Sequence, residues 1–341
     1  MIPLTLILTS FIVSFTTIML LLAAAMGWPF TQVKEGCFKN YLVEPSCFCE
    51  RPRGNIPGDF MFAQPMNTLS NVGFIIVGLL IALSTDFEVP QCYWKNNKNV
   101  ITKNKAYTSL LANLVGVMGP GSMVFHASMT ELGRKMDNVC MFLISSFILI
   151  YVVLNWFQVI CPNFFVLYLI VSAIFALWIF LTSKDHKDLV FTLMLVLALI
   201  VESSRFIFDC KEKKKNVILV QEDDQQKRIG DISNCQDRGK LVLPQEYQDE
   251  NNKIAIIPAT GERTTNIWWL VAAVGSIVTA TVIWMPSKSG GPLCYPDSIF
   301  QGHAFWHIFS SLALGCLFMY MLSEDHRLET GTASENQLND L

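Results

Sequence analysis

The sequence predicts an all-α, polytopic membrane protein: a seven-helix transmembrane bundle with one additional N-terminal hydrophobic helix. Three observations carry that prediction. Of 341 residues, 52% are hydrophobic and only 16% charged, whereas soluble domains carry roughly 25% charged residues. Mean hydropathy is +0.40. The apolar residues fall into eight runs, each near the ~20 residues that span a bilayer as a helix.

In chain order those runs are 4–26, 67–84, 106–129, 136–159, 163–182, 189–208, 266–285 and 300–322. The first, residues 1–26, reads as an N-terminal transmembrane helix or signal anchor. It ends in Ala23-Ala24-Ala25, which a signal peptidase could cut, but its apolar stretch exceeds the ~7–15 residues of a signal h-region. Residues 27–66 form a polar loop carrying Cys47-Phe48-Cys49-Glu50-Arg51-Pro52. Residues 67–322 form the seven-helix core, interrupted at 209–265 by a Lys-, Gln-, Asp- and Asn-rich insertion with the composition of disordered chain. Residues 323–341 read as a flexible tail.

Net charge is −3 and the lysines are scattered over polar connections, so no nucleic-acid groove is expected. Ten cysteines do not make a dense disulfide scaffold at this length. Glu202 and Arg205 stand three apart near a helix end and read as a charge pair snorkelling to the interface. His186 and His326 sit among charged neighbours and read as solvated.

Polar groups inside a bilayer are costly and mark sites. Helix alternation brings the conspicuous ones to one leaflet. Calling the side with the 27–66 loop side B, Asn67 and Ser70 open a helix there, and Ser122 and His126 lie in the last turns of a helix arriving there. Asp137 opens the next helix after a turn at Thr130–Lys135, and His303 and His307 lie in the first turns of the last helix. At 1.5 Å per residue these groups sit about 5–10 Å inside the boundary.

His303 and His307 are four apart, so both imidazoles leave one helix face at the spacing that holds a single metal ion. With His126 they make three of only five histidines. Three histidine ligands leave a tetrahedral zinc with an open position, and zinc lowers the pKa of a bound water to roughly 7. Asp137 would accept that water's proton. Ser122, one turn before His126, would hydrogen-bond the developing oxyanion, although Gly119, Gly121 and Ser122 also read as a small-residue run for close helix packing. Asn67 and Ser70 are expected either to cap their helix or to buttress the histidines.

Cys49-Glu50-Arg51, Asn67-Thr68-Leu69-Ser70-Asn71, Gly121-Ser122-x3-His126-x10-Asp137 and Cys294-Tyr295-Pro296-Asp297-Ser298-x2-Gln301-Gly302-His303-x3-His307 occur in this order. Together they resemble the alkaline ceramidase family, part of a seven-helix superfamily of membrane hydrolases that includes adiponectin receptors and GPI-remodelling phospholipases. The resemblance implies zinc held by His126, His303 and His307, with Ser122 and Asp137 completing a site that hydrolyses the ceramide amide to a sphingoid base and a fatty acid. It also implies a lipid partner and an endomembrane location, in the ER or Golgi. Glu50 matches one ligand of the calcium site found in animal relatives, but Gln64 and Cys47 stand where two acidic residues would, so a complete calcium site is not carried over.

Two other readings fit the same residues. One is a zinc-dependent esterase acting on a phospholipid or GPI lipid; the other is a receptor or scaffold with structural zinc, which leaves Ser122 and Asp137 unexplained. Lys34 and Lys39 follow the first helix and favour a cytoplasmic side B, whereas the 209–265 loop puts more basic residues on side A. The balance leans to a cytoplasm-facing site.

Overall fold

The structure, a computed structural model, describes residues 4–25, 48–51, 62–86, 105–156, 164–181, 189–207 and 262–327. Its helices are α1 (Leu4–Ala25), α2 (Pro65–Ser70), α3 (Val72–Asp86), α4 (Lys105–Ser128), α5 (Glu131–Trp156), α6 (Phe164–Leu181), α7 (Leu189–Ile207), α8 (Ile267–Trp284) and α9 (Gly302–Leu322). Helix α2 runs into α3 through Asn71, and the two act as one span. Seven spans among the described residues are long and apolar enough to cross a membrane. The additional α1 contributes a shorter apolar stretch, Thr9–Ile18, which packs on α3 and α4.

The bundle is all-α, and its core lies between α3, α4, α5 and α9. Phe74, Ile81, Leu111, Val115, Phe147, Tyr151, Phe318 and Met321 are all buried in one cluster there. The outer helices turn their apolar residues outward: Leu169, Ile170, Ile174 and Leu177 of α6 are all more than half exposed. In water such a face would be an aggregation liability; against lipid it needs no cover.

Close approach is arranged by glycine. A Cβ on Gly78 of α3 would lie 2.5 Å from the Gly116 nitrogen of α4, and one on Gly119 would lie 2.9 Å from the Asn71 carbonyl oxygen. A Cβ on Gly121 would meet Cys140 Sγ at 2.5 Å. The small-residue reading of this run is therefore correct for its glycines, and it sets the Ser122 turn of α4 against the Asp137 turn of α5.

Three expectations change. The turn at Thr130–Lys135 is really two residues, Met129 and Thr130, because Thr130 caps α5 by accepting the Gly133 N–H at 3.1 Å and Glu131 pairs with Arg134 in the first turn. Met129 takes a left-handed φ of 51° to make so tight a reversal. Asp137 consequently lies in the second turn of α5 rather than opening it. Glu202 and Arg205 do not snorkel: both are buried, and Glu202 accepts a hydrogen bond from the Tyr320 hydroxyl of α9. At the same end Glu324 is held by Tyr151 at 3.0 Å and by Asn155 at 2.8 Å. The start of the tail is not frayed either, since Asp325–Arg327 pairs antiparallel with Glu262–Thr264. His186, most of the 27–66 loop and residues 209–261 lie outside the described residues.

Candidate metal centre

Three helices bring the site together. The α4 C-terminus carries His126, α9 carries His303 and His307 in its first two turns, and α2 carries Ser70. Each placement has a local cause. Gln301 starts α9, its side-chain amide donating to the Ser298 carbonyl at 2.6 Å and the Tyr295 carbonyl at 3.0 Å, which winds the preceding loop onto the helix. Gly302 follows because a Cβ there would overlap Ser287. At the other end, the last carbonyls of α4 have no helical partner; the chain entering α2 satisfies two of them, Ala63 N donating to Ala127 O at 2.9 Å and Gln64 N to His126 O at 3.0 Å.

His126 and His307 are buried and His303 partly so. His126 Nε2 and His303 Nε2 stand 3.1 Å apart, and one nitrogen from each of the three rings falls within a 4.8 Å cluster. The convergence expected from helix alternation is realised across 177 residues.

The outward nitrogens identify the inward ones. Ser70 Oγ donates to the Asn67 carbonyl at 3.0 Å, which uses its single proton, so at its 2.8 Å contact with His307 Nδ1 the hydroxyl accepts. His307 is therefore protonated on Nδ1, and its Nε2 lone pair faces the cluster. Two nitrogens ligating one zinc tetrahedrally at ~2.0–2.1 Å are about 3.3 Å apart, close to the 3.1 Å between His126 and His303, and the three-histidine set, spread over 4.8 Å, is of a kind that could hold a metal ion such as zinc.

Asn67 is fully buried. Its backbone N–H and that of Met66 donate to the two carboxylate oxygens of Glu50, each at 2.8 Å. Glu50, the calcium candidate, thus caps α2 with charge-assisted hydrogen bonds at the positive end of the helix. Ser122 is buried, and its hydroxyl has no hydrogen-bond partner among the described residues. Asp137 lies on the facing helix, half-buried.

Two features escaped the sequence reading. One is the contact of Gln64, noted in the sequence only for its calcium-site position, with the first histidine: its amide oxygen lies 2.9 Å from His126 Nδ1. The other is a disulfide between Cys49 and Cys294, 245 residues apart, across the site end of the bundle. It is flanked by an Arg51–Asp297 salt bridge at 3.1 Å and an isolated bridge between Phe48 and Lys288. Together these hold the Phe48 ring 4.2 Å from His303 and 4.9 Å from His126.

A family model for ceramidases matches residues 48–339, taking in every element from the Phe48 loop to the tail. The chain belongs to the ceramidase family. No curated protein matches the sequence. Family membership makes this multi-pass membrane protein a hydrolase of amide bonds with a ceramide-type lipid substrate. Helix α1 lies outside the match and packs on α3 and α4.

Proposed function

We propose that the protein is a zinc-dependent intramembrane ceramidase, cleaving the ceramide amide with water to a sphingoid base and a fatty acid. The observation that carries the proposal is the trio of imidazoles at one depth of the bundle, His126, His303 and His307, with ligand atoms within 4.8 Å. Those three residues would hold the zinc. When bound, zinc supplies a Lewis acid for the carbonyl and a water acidic enough to react at neutral pH.

The remaining chemistry belongs to the chain. Asp137, on the helix packed against Ser122, is the proton acceptor for the attacking water and passes the proton to the departing amine. Without that second transfer the amine would leave as an amide anion. Ser122 donates its unpartnered hydroxyl to the oxygen that gains negative charge. Asn67 and Ser70 act on the frame: Ser70 holds the His307 ring, and Asn67 anchors α2 to Glu50. Phe48 and Trp284 pack against the His303 ring.

The same reading puts the site on the side facing an oxidising compartment, as in the ER or Golgi. Disulfides persist there and are rare in the cytosol, and the Cys49–Cys294 bridge lies at the site end. This reverses the charge-based expectation of a cytoplasm-facing site. The basic residues behind that expectation, Lys34 and Lys39, are two charges in a long connection, whereas the disulfide depends directly on its compartment.

The test is hydrolysis of labelled ceramide by purified protein in detergent, with metal analysis of the same preparation. Activity should disappear on chelation, return with zinc, and be absent in His303→Ala. Activity that survives the loss of His303 would refute the zinc mechanism, and turnover of a lipid ester in place of ceramide would move the substrate.

A further inference from the structure

Gln64 is buried beyond the reach of solvent, and one of its three side-chain polar partners fixes the direction of its amide. Its Nε2 lies 3.0 Å from the backbone carbonyl of Glu50, which can only accept. That end of the amide is therefore the NH2 group. The opposite end, Oε1, then meets Asn67 Nδ2 at 3.2 Å and His126 Nδ1 at 2.9 Å. An oxygen at that distance from His126 Nδ1 requires the nitrogen to carry the proton.

We propose that Gln64 is a positioning residue of this site, its side-chain amide locking His126 as the Nδ1–H tautomer so that the Nε2 lone pair is presented to the histidine cluster. This goes beyond the zinc reading but rests on it for the consequence to metal affinity. The amide is itself held from three directions. Its backbone N–H is bonded to the His126 carbonyl, its NH2 group to the Glu50 carbonyl and its oxygen to Asn67. Rotation of the amide would set its NH2 against the Asn67 NH2 and leave its oxygen facing the Glu50 carbonyl oxygen, so the frame opposes the flip. A neutral amide fixes direction without adding charge, and in this respect it differs from a carboxylate in the same place. A carboxylate would accept from His126 equally well but could not donate to the Glu50 carbonyl.

Histidines that ligate metal commonly depend on such partners, and losing one weakens metal binding about 10–100-fold. The experiment has two readouts on the full-length protein in detergent. In metal-free protein labelled with 15N-histidine, His126, assigned by its loss in His126→Asn, should show a protonated Nδ1. In Gln64→Leu the Nε2–H form should appear. In zinc competition with a chromophoric chelator, Gln64→Leu should bind about 10–100-fold more weakly, while Gln64→Glu, which keeps the acceptor for His126 but loses the donor to the Glu50 carbonyl, should bind more tightly than Gln64→Leu. An Nε2–H His126 in the wild type overturns the proposal, as does a folded Gln64→Leu that binds zinc as tightly as wild type. If Gln64→Leu loses the fold, the wild-type spectrum decides alone. A wild type that binds no zinc yet shows the Nδ1–H tautomer supports the role of Gln64 and overturns the zinc reading instead.

Discussion

Removing the Ser70 hydroxyl takes away its contact with His307 together with its bond to the Asn67 carbonyl. In Ser70→Ala the 2.8 Å contact to His307 Nδ1 disappears, and a methyl group cannot replace the acceptor. A buried N–H left without a partner costs about 1–3 kcal/mol. That cost falls unequally on the two states. Without metal, the His307 ring can rotate or exchange tautomers to recover a bond; with metal, Nε2 is committed and Nδ1–H is left with the Asn67 backbone carbonyl alone. The difference enters the zinc affinity, and at 1.36 kcal/mol per decade a full loss would be about a 5- to 150-fold weakening, the lower end of which is expected while the Asn67 carbonyl remains. Competition with a chromophoric chelator reads it directly. Ser70→Thr, which keeps a hydroxyl on the same carbon, should remain within about threefold of wild type, since nothing of the bond itself is lost. A Ser70→Ala protein with zinc affinity within twofold of wild type would refute the assignment of His307 as an Nδ1–H donor and a ligand.

Ser122→Ala should keep its zinc but lose about 10²–10³ in kcat, the usual effect of deleting one oxyanion donor; Asp137→Asn should lose about 10²–10⁴, as expected for a general base. Zinc content measured beside the rates separates these effects from metal loss. Gly78→Ala should destabilise the bundle by about 1–3 kcal/mol through overpacking, because its Cβ would press on the backbone of Gly116. Gly116→Ala should be nearly neutral, since its Cβ would rest at 3.5 Å from Thr9 and Val13, and thermal melts of the two variants should differ accordingly. A glycosylation sequon engineered at the exposed turn around Gly290 should be modified in cells if the site end faces an oxidising lumen; an unmodified chain would restore the cytoplasmic orientation.

The helices and the three histidines were legible because each rests on a count. Apolar run length fixes the spans, and alternation fixes which ends meet, so His126 and His307 could be brought together without knowledge of their surroundings. What stayed hidden depends on who meets whom sideways. Glu202 and Arg205 near a helix end are indistinguishable in sequence from a snorkelling pair; only α9, bringing Tyr320 against α7, turns them inward. Gln64 stands out in the sequence only as a neutral residue where the calcium site of animal relatives has an acidic one. Its role appears only because the free carbonyls of α4 draw that segment across His126. Cys49 and Cys294 are two of ten cysteines, and connectivity does not follow from spacing.

The hidden elements account for an asymmetry among the ligand candidates. His126 and His307 are each oriented by a hydrogen bond to a side chain of the α2 region, from Gln64 and Ser70. His303 has no such bond: its Nδ1 is buried and without a partner among the described residues. Its ring is instead gripped by faces, Phe48 at 4.2 Å and Trp284 at 6.0 Å. Ring packing restrains a plane but does not choose between the two nitrogens, so for His303 that choice falls to the metal. Phe48 comes from a four-residue described segment with no helix of its own, and what holds it there is the neighbouring Cys49–Cys294 bridge with the Arg51–Asp297 pair. The disulfide thereby takes over for the third histidine the task that hydrogen bonds perform for the other two. Reduction should accordingly loosen His303 first, leaving the His126 and His307 hydrogen bonds in place.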